Sequence, residues 1–136
     1  MNILRFLTPK SSVGYLYEDF TVRQALEKMY YHRHHAVPVI DREGGYVGTV
    51  GEGAFLWELF EKGDYDLREL ERTPLASLID RKSNPAVPNG TPIKVLLERV
   101  KQNAFVPVVD DRGCFIGIVT RRDVINYFID DYLEKS

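Results

Sequence analysis

The sequence has little cysteine and no strong excess of either charge, and both facts narrow what the protein can be. Cys114 is the only cysteine, so no intrachain disulfide can form, and the cytoplasm is the expected location. The chain has 18 Lys and Arg residues and 20 Asp and Glu residues, and no long basic run occurs. General binding to nucleic acids or membrane surfaces therefore lacks electrostatic support, although a confined basic pocket is compatible with this balance.

Long hydrophobic runs are also missing. The N-terminal stretch Met1–Leu7 is apolar but short, and Arg5 interrupts it, so it resembles neither a signal peptide nor a membrane span. With 136 residues, the chain is long enough for one compact domain or two very small ones. Two halves of this size bury little surface alone, which favours halves that share a core.

An internal duplication is the main positive feature. Residues 36–50 and 105–119 share an apolar segment containing Pro, a turn containing Asp and Gly, and a second apolar segment, all in register. The β-branched apolar runs predict buried strands, and the turns predict hairpins. A period of half the chain, with two copies, excludes a solenoid and indicates two similar halves.

Each duplicated block lies between two predicted helices. Thr21 with Gln24 has the spacing of a capping box, and Thr91-Pro92 begins the corresponding helix of the second half. The predicted order in each half is strand, helix, strand, strand, helix, which indicates an α/β fold. We divide the chain into residues 1–66, an N-terminal arm with the first repeat, and 67–136, a linker helix with the second.

The two copies differ directly after the second predicted strand. The second copy continues Thr120-Arg121-Arg122-Asp123, whereas the first continues Gly51-Glu52-Gly53-Ala54. Thr followed three residues later by an acid is typical of a helix cap. The same geometry also suits a ligand, because helix N-termini bind anions and a carboxylate can accept from ribose hydroxyls. One residue can fill both roles.

The segment Gly117–Asp123 matches the Gly-h-h-Thr-x-x-Asp signature of CBS domains, where h is apolar. Together with the duplicated Pro, Asp and Gly framework, it makes the chain resemble a stand-alone bacterial CBS domain pair, or Bateman module, from about Lys10 to Phe128. The resemblance implies tandem CBS repeats, each a small three-stranded sheet with two helices, packed about a pseudo-two-fold axis.

The resemblance also implies a function. CBS pairs act as non-catalytic regulatory sensors that bind adenine nucleotides between the repeats. The Asp of the signature holds the ribose, the Thr lies beside the phosphates, and the opposite repeat supplies most of the base pocket. Candidate ligands are AMP, ADP, ATP and cyclic di-AMP. The expected ligand-binding residues are Thr120, Arg121, Arg122, Asp123, Ser11, Ser12, Val13, Gly14, Ala36, Val37 and Pro38.

The mirror cleft departs from the signature, because Gly51 and Ala54 replace the Thr and the Asp. We therefore expect one mononucleotide per chain at high affinity, in the Thr120/Asp123 cleft. Lys82, Ser83 and Asn84 still border the degraded cleft, which is compatible with a weak or different ligand.

Other functions have less support. The alternative is a constitutive protein-interaction module whose clefts are vestigial. No arrangement of residues suggests a catalytic nucleophile, and the His32–His35 cluster at a helix end lacks the further ligands of a metal site. No cofactor is expected, and the sequence does not indicate the effector protein. A homodimer is expected, because two helices carry more apolar residues than a small core needs. They are Phe55, Leu56, Leu59, Phe60, Val124, Ile125, Phe128 and Ile129.

Overall fold

The computed structural model describes residues 1–32, 35–63 and 67–136, and it is a mixed α/β protein. The strands are β1 (Leu7–Pro9), β2 (Leu16–Tyr17), β3 (Ala36–Ile40), β4 (Tyr46–Gly51), β5 (Val87–Pro88), β6 (Phe105–Val109) and β7 (Phe115–Thr120). The helices are α1 (Val22–His32), α2 (Glu52–Lys62), α3 (Leu67–Arg72), α4 (Ile93–Gln102) and α5 (Arg121–Glu134). Short 3-10 helices cover Ile3–Phe6, Lys10–Ser12 and Leu75–Leu78.

The chain forms two compact units, and each contains one duplicated hairpin. One unit is Gly14–Asn84, with a three-stranded sheet in the order β2-β3-β4. The other consists of Met1–Val13 and Pro85–Ser136, with a four-stranded sheet in the order β1-β7-β6-β5. We call them the first-repeat unit and the second-repeat unit. The predicted boundary between the two repeats follows residue 66. Residues 64–66 lie outside the described residues, and the boundary stays a prediction.

The two hairpins have the same register, which confirms the duplication. In the first, Pro38 pairs with Thr49, and the register shifts between Val39 and Ile40. In the second, Pro107 pairs with Ile118, and the shift falls at the corresponding place. The first strand of each hairpin, β3 or β6, is buried along most of its length, as the continuous apolar runs predict.

The segment that leads into each repeat pairs with the sheet of the other repeat. Strand β1 runs antiparallel to β7, with Thr8 opposite Ile118. In the first-repeat unit, Asp80 follows the 3-10 helix Leu75–Leu78 and forms a bridge with Thr49 of β4. The second-repeat sheet therefore gains its fourth strand from the N-terminus of the chain.

We call these two pairings, of β1 with β7 and of Asp80 with Thr49, the crossings. At each crossing a glycine lets the two backbones come close together. A Cβ atom on Gly48 would lie 2.5 Å from the carbonyl oxygen of Asp80. A Cβ on Gly117 would approach the carbonyl oxygen of Thr8 more closely still, and the φ of Gly117 is +155°. Only glycine lets the crossing backbone approach this near.

A local signal explains where α1 begins. The amide of Gln24 donates to Thr21 Oγ1 over 3.2 Å, and the amide of Thr21 donates to Gln24 Oε1 over 2.8 Å. This reciprocal pair is the predicted capping box. After Thr73-Pro74 the chain forms a single 3-10 turn, and α3 precedes it.

Each unit has its own apolar core. In the first-repeat unit, Val39, Val50 and Phe55 pack with residues of α1 and the 3-10 helix. In the second-repeat unit, Val108, Val119 and Val124 pack with the N-terminal 3-10 helix. Within the described residues, no helix has both the length and the apolar content needed to cross a membrane.

Candidate functional site

The second-repeat unit places the signature threonine at the start of α5. Thr120 is the last residue of β7 and has extended backbone angles, so its side chain reaches over the first turn of the helix. Its Oγ1 accepts a hydrogen bond from the amide of Asp123 over 3.1 Å. This is the predicted N-cap. The hydroxyl proton is not consumed by this bond and can be donated to an anionic ligand.

Asp123 places a carboxylate in the first turn of the same helix. Its side chain is exposed, and Oδ2 lies 3.5 Å from Oγ1 of Thr8, which donates to it across the β1–β7 crossing. The carboxylate therefore lies beside the N-terminal strand and has further acceptor positions for ligand hydroxyls. The role of Thr8 has no signal in the local sequence, because it depends on β1 pairing with β7.

The two arginines that follow Thr120 have different surroundings. Arg121 donates from Nε to the carbonyl oxygen of Val100 over 2.6 Å, and from Nη2 to that of Lys101 over 3.5 Å. These carbonyls lie in the last turn of α4, where a cation is favourable. The guanidinium of Arg121 therefore fastens α4 to the start of α5. Arg122 is exposed in the first turn of α5.

The other expected ligand-binding residues are divided between the units. Ser11 and Ser12 are exposed residues of the 3-10 helix Lys10–Ser12, which lies against β7, and half-buried Val13 follows it. These three share the second-repeat unit with Thr120 and Asp123. The remaining four belong to the first-repeat unit; they are Gly14, Ala36, Val37 and Pro38.

The side chains of the β3 residues differ in their availability to a ligand. Ala36 is exposed at the start of β3, whereas the side chains of Val37 and Pro38 are buried. Val37 packs in the core of the first-repeat unit. Any ligand contact by Val37 would therefore use its backbone.

The first-repeat unit has the same framework at the start of α2 without the signature side chains. Gly51 occupies the cap position with extended backbone and makes no side-chain cap. The amide of Glu52 donates to the carbonyl oxygen of His35 over 2.9 Å, as that of Arg121 does to Ala104 over 2.8 Å in the other unit. Glu52 Oε1 also lies 2.9 Å from His35 Nδ1. Glu52, paired with His35, therefore occupies the position that Arg121 has in the second-repeat unit.

Part of the histidine cluster lies outside the described residues, namely residues 33 and 34. Among the residues that the structure describes, no three His, Cys, Asp or Glu side chains lie together as metal ligands would.

The matches to known families agree with the duplicated framework. The CBS domain family matches residues 7–61 and again residues 76–130. The chain belongs to the CBS domain family.

Solved structures of other CBS proteins share the fold of this CBS domain pair. CbpB in complex with c-di-AMP is 22% identical with a TM-score of 0.84, covering 100% of this chain and 91% of that one. Listeria monocytogenes CbpB, also in complex with c-di-AMP, is 19% identical with a TM-score of 0.86, covering 98% of both chains. A hypothetical conserved protein from Geobacillus kaustophilus is 21% identical with a TM-score of 0.88, covering 96% of this chain and 98% of that one. A search of curated protein sequences gave no match.

Each CBS repeat leaves one helix face exposed. Leu56 and Phe60 of α2 are 68% and 72% exposed, and their counterparts Ile125 and Ile129 of α5 are 48% and 50% exposed. Phe55 and Val124 are not part of this surplus, contrary to the expectation from the sequence, because both are core residues with 3% exposure. We call these exposed apolar residues, Leu56 and Phe60 of α2 and Ile125 and Ile129 of α5, the helix faces.

Proposed function

We propose that this CBS domain pair is a non-catalytic sensor of an adenine nucleotide, with the start of α5 as its principal binding site. The observation that carries the proposal is the combination of a capping hydroxyl on Thr120, an exposed carboxylate on Asp123 and an exposed cation on Arg122 within one helix turn. A nucleotide offers the matching groups, because its phosphate needs donors and its ribose needs an acceptor.

Each residue has a distinct proposed task. The Thr120 hydroxyl and the first-turn amides of α5 donate to phosphate oxygens, and Arg122 adds a charge-assisted contact. Asp123 accepts from the two neighbouring ribose hydroxyls. Arg121 acts indirectly, since its guanidinium is bound to the carbonyls of α4 and fixes the start of α5 in place.

The N-terminal segment contributes to the same site. Thr8 orients the Asp123 carboxylate, and Ser11 and Ser12 follow on the surface of the second-repeat unit. Val13, Gly14, Ala36, Val37 and Pro38 stay predicted contacts of the base, on the strength of the CBS resemblance.

Cyclic di-AMP is the first ligand to test. Two CbpB structures of the same fold hold c-di-AMP, and AMP, ADP and ATP carry the same ribose and phosphate groups. Signalling requires only that the ligand prefers one conformation of the pair, because it shifts the equilibrium by its differential affinity. An effector protein would then read the bound state.

The experiment is calorimetric titration of the full chain with AMP, ADP, ATP and c-di-AMP. Asp123→Ala should weaken binding by about 1–3 kcal/mol, or roughly 5- to 150-fold, because it removes a charged hydrogen-bonding partner. The matched control is Asp111→Asn, which removes an exposed acid from the turn at the other end of β7. Unchanged affinity in Asp123→Ala, or no binding of any of the four nucleotides, would refute the proposal.

We also propose that the helix faces pair with a second copy of the chain. Corresponding positions of α2 and α5 are apolar and exposed in both repeats, so a two-fold axis can bring equivalent faces together. Trp57, 65% exposed beside Phe60, adds the large aromatic area that interfaces favour.

A further inference from the structure

A short N-terminal segment holds α5 at two places. We call this segment, residues 3–9, the strap; it consists of the 3-10 helix Ile3–Phe6 and strand β1. Ile3 and Phe6 are buried in the apolar core of the second-repeat unit and fix the strap at its own end. The strap and α5 belong to the same unit, so both contacts lie within it.

The first contact lies at the start of α5, where the candidate site is. Strand β1 pairs with β7 through the close backbone approach that Gly117 permits. Thr8 of the strap then donates to the Asp123 carboxylate over 3.5 Å. The carboxylate that we assign to the ribose therefore keeps this orientation only while β1 is docked on β7.

The second contact lies one helix turn further along α5. The ring of Phe6 packs edge-to-face on that of Tyr127, with 5.2 Å between the centroids. The guanidinium of Arg5 lies 4.6 Å from the centroid of the Tyr127 ring. Tyr127 follows Asp123 by four residues, so the two project from the same side of the helix. The strap therefore bridges the first and second turns of α5.

Beyond Tyr127, α5 is poorly covered. Every residue of 128–136 is exposed except Asp131, which is half-buried. We call residues 128–136 the exposed half of α5. It has an apolar surface made by Phe128, Ile129, Tyr132 and Leu133. Tyr127 packs against the core, so support for the exposed half reaches it through the residue that the strap contacts.

We propose that the strap couples ligand binding at the start of α5 to the exposed half of that helix. A docked strap holds the Asp123 carboxylate and the Tyr127 ring together, and a released strap loosens both. A ligand that needs the oriented carboxylate prefers the docked state and shifts the population toward it. The better held apolar surface of the exposed half is then the signal. The ligand part of this coupling rests on the proposed function, whereas the two contacts of the strap do not.

Hydrogen exchange of the full chain, followed by mass spectrometry, measures the coupling, because it reports local opening segment by segment. Saturating c-di-AMP should slow exchange about threefold or more in residues 3–8 and in the exposed half, since binding reduces the population of the released strap. Neither segment is assigned a ligand contact in the proposed function, so slower exchange there reports the strap.

Substitutions in the strap should change the affinity at a distance. Phe6→Leu removes the ring that contacts Tyr127 and should weaken c-di-AMP binding about fivefold or more, the lower end of typical couplings between sites. Phe115→Leu is the matched control, because it removes a buried ring from the same unit outside the strap. It should lower the melting temperature without weakening binding. Both variants are titrated well below their melting temperatures.

Changes at Tyr127 test the same contact from the helix. Tyr127→Leu should repeat the effect of Phe6→Leu on binding. Tyr127→Phe keeps the ring and should bind c-di-AMP like the wild type. A weakened Tyr127→Phe variant would show that the ring contact with the strap is not what matters.

The outcomes separate the strap from the proposed function. If no nucleotide binds, the proposed function fails, and Asp123→Ala tests the strap without a ligand: exchange in residues 3–8 should become about threefold faster or more, because Thr8 loses its acceptor. Unchanged exchange there overturns the strap. Bound c-di-AMP that leaves exchange in residues 3–8 unchanged overturns it too, as does a Phe115→Leu variant that weakens binding as much as Phe6→Leu.

Discussion

Thr8 and Asp123 are 115 residues apart in the chain, yet Thr8 Oγ1 lies 3.5 Å from Asp123 Oδ2. The contact exists because the N-terminal strand β1 pairs with the last strand, β7. The carboxylate of the CBS signature is therefore positioned by the N-terminal end of the first repeat, ahead of its duplicated hairpin. Stability of this crossing and affinity at the start of α5 should depend on each other.

Gly117→Ala tests that dependence. The new Cβ would collide with the carbonyl oxygen of Thr8, which is backbone and cannot move aside without displacing β1. We expect about 1–3 kcal/mol lower stability in denaturant unfolding, as for other strained or overpacked sites, together with weaker nucleotide binding. The control is Gly90→Ala, where a Cβ meets nothing within 4 Å and stability should change by less than about 0.5 kcal/mol. Equal stability of the two variants would contradict the structure.

The two arginines of the signature should separate stability from binding. Arg121→Ala removes the donors to Val100 and Lys101 and should lower stability by about 1–2 kcal/mol. Arg122→Ala removes an exposed cation and should leave the melting temperature nearly unchanged. It should weaken nucleotide binding roughly tenfold at low salt and less at high salt. The reverse assignment of the two effects would show that Arg121 is the ligand contact.

The helix faces should determine the oligomeric state. The chain has a mass of 15.7 kDa, and light scattering at micromolar concentration should give twice this value. Phe60→Glu places a charge in the proposed interface and should yield the monomer. Val95→Glu alters an exposed apolar residue of α4 outside the helix faces and should keep the dimer. A monomeric wild type counts against the proposal.

Acid stability should depend in part on Asp19 and Arg42. Arg42 donates to Asp19 over 2.8 and 3.0 Å, and these bonds hold the pKa of the Asp19 carboxyl below its ordinary value. A folded-state pKa that is depressed contributes stability above the unfolded pKa, and this contribution disappears as the pH falls through the folded pKa. Arg42 also lies 3.8 Å from the ring centroid of Tyr17, which keeps the guanidinium in place.

The measurement is an NMR titration of the Asp19 carboxyl carbon. Arg42→Gln should raise the Asp19 pKa toward its ordinary value. Asp19→Asn should lower the melting temperature at neutral pH, and the difference from wild type should vanish at acid pH, where both side chains are uncharged. An Asp19 titration that is the same in wild type and Arg42→Gln would show that the pair does not form in solution.

Local sequence patterns were sufficient for the duplicated hairpins, the Thr21 capping box and the Thr120 cap. These features depend on residues a few positions apart, so spacing alone specifies them. The signature at Gly117–Asp123 likewise indicated the family and its candidate site. The exchange of leading segments was not predictable in this way, because β1 is three residues long and its partner lies at the other end of the chain.

The tertiary structure alone decided which residues surround the site. It placed the Arg121 guanidinium against the carbonyls of α4, brought Thr8 to Asp123, and paired Asp80 with Thr49 of β4. A weak signal was present in Gly48 and Gly117, which occupy equal positions in the two hairpins. Periodicity encodes which face of an element is buried, whereas the choice of partner for a short segment depends on strand edges and close backbone approach that form only when the chain has folded.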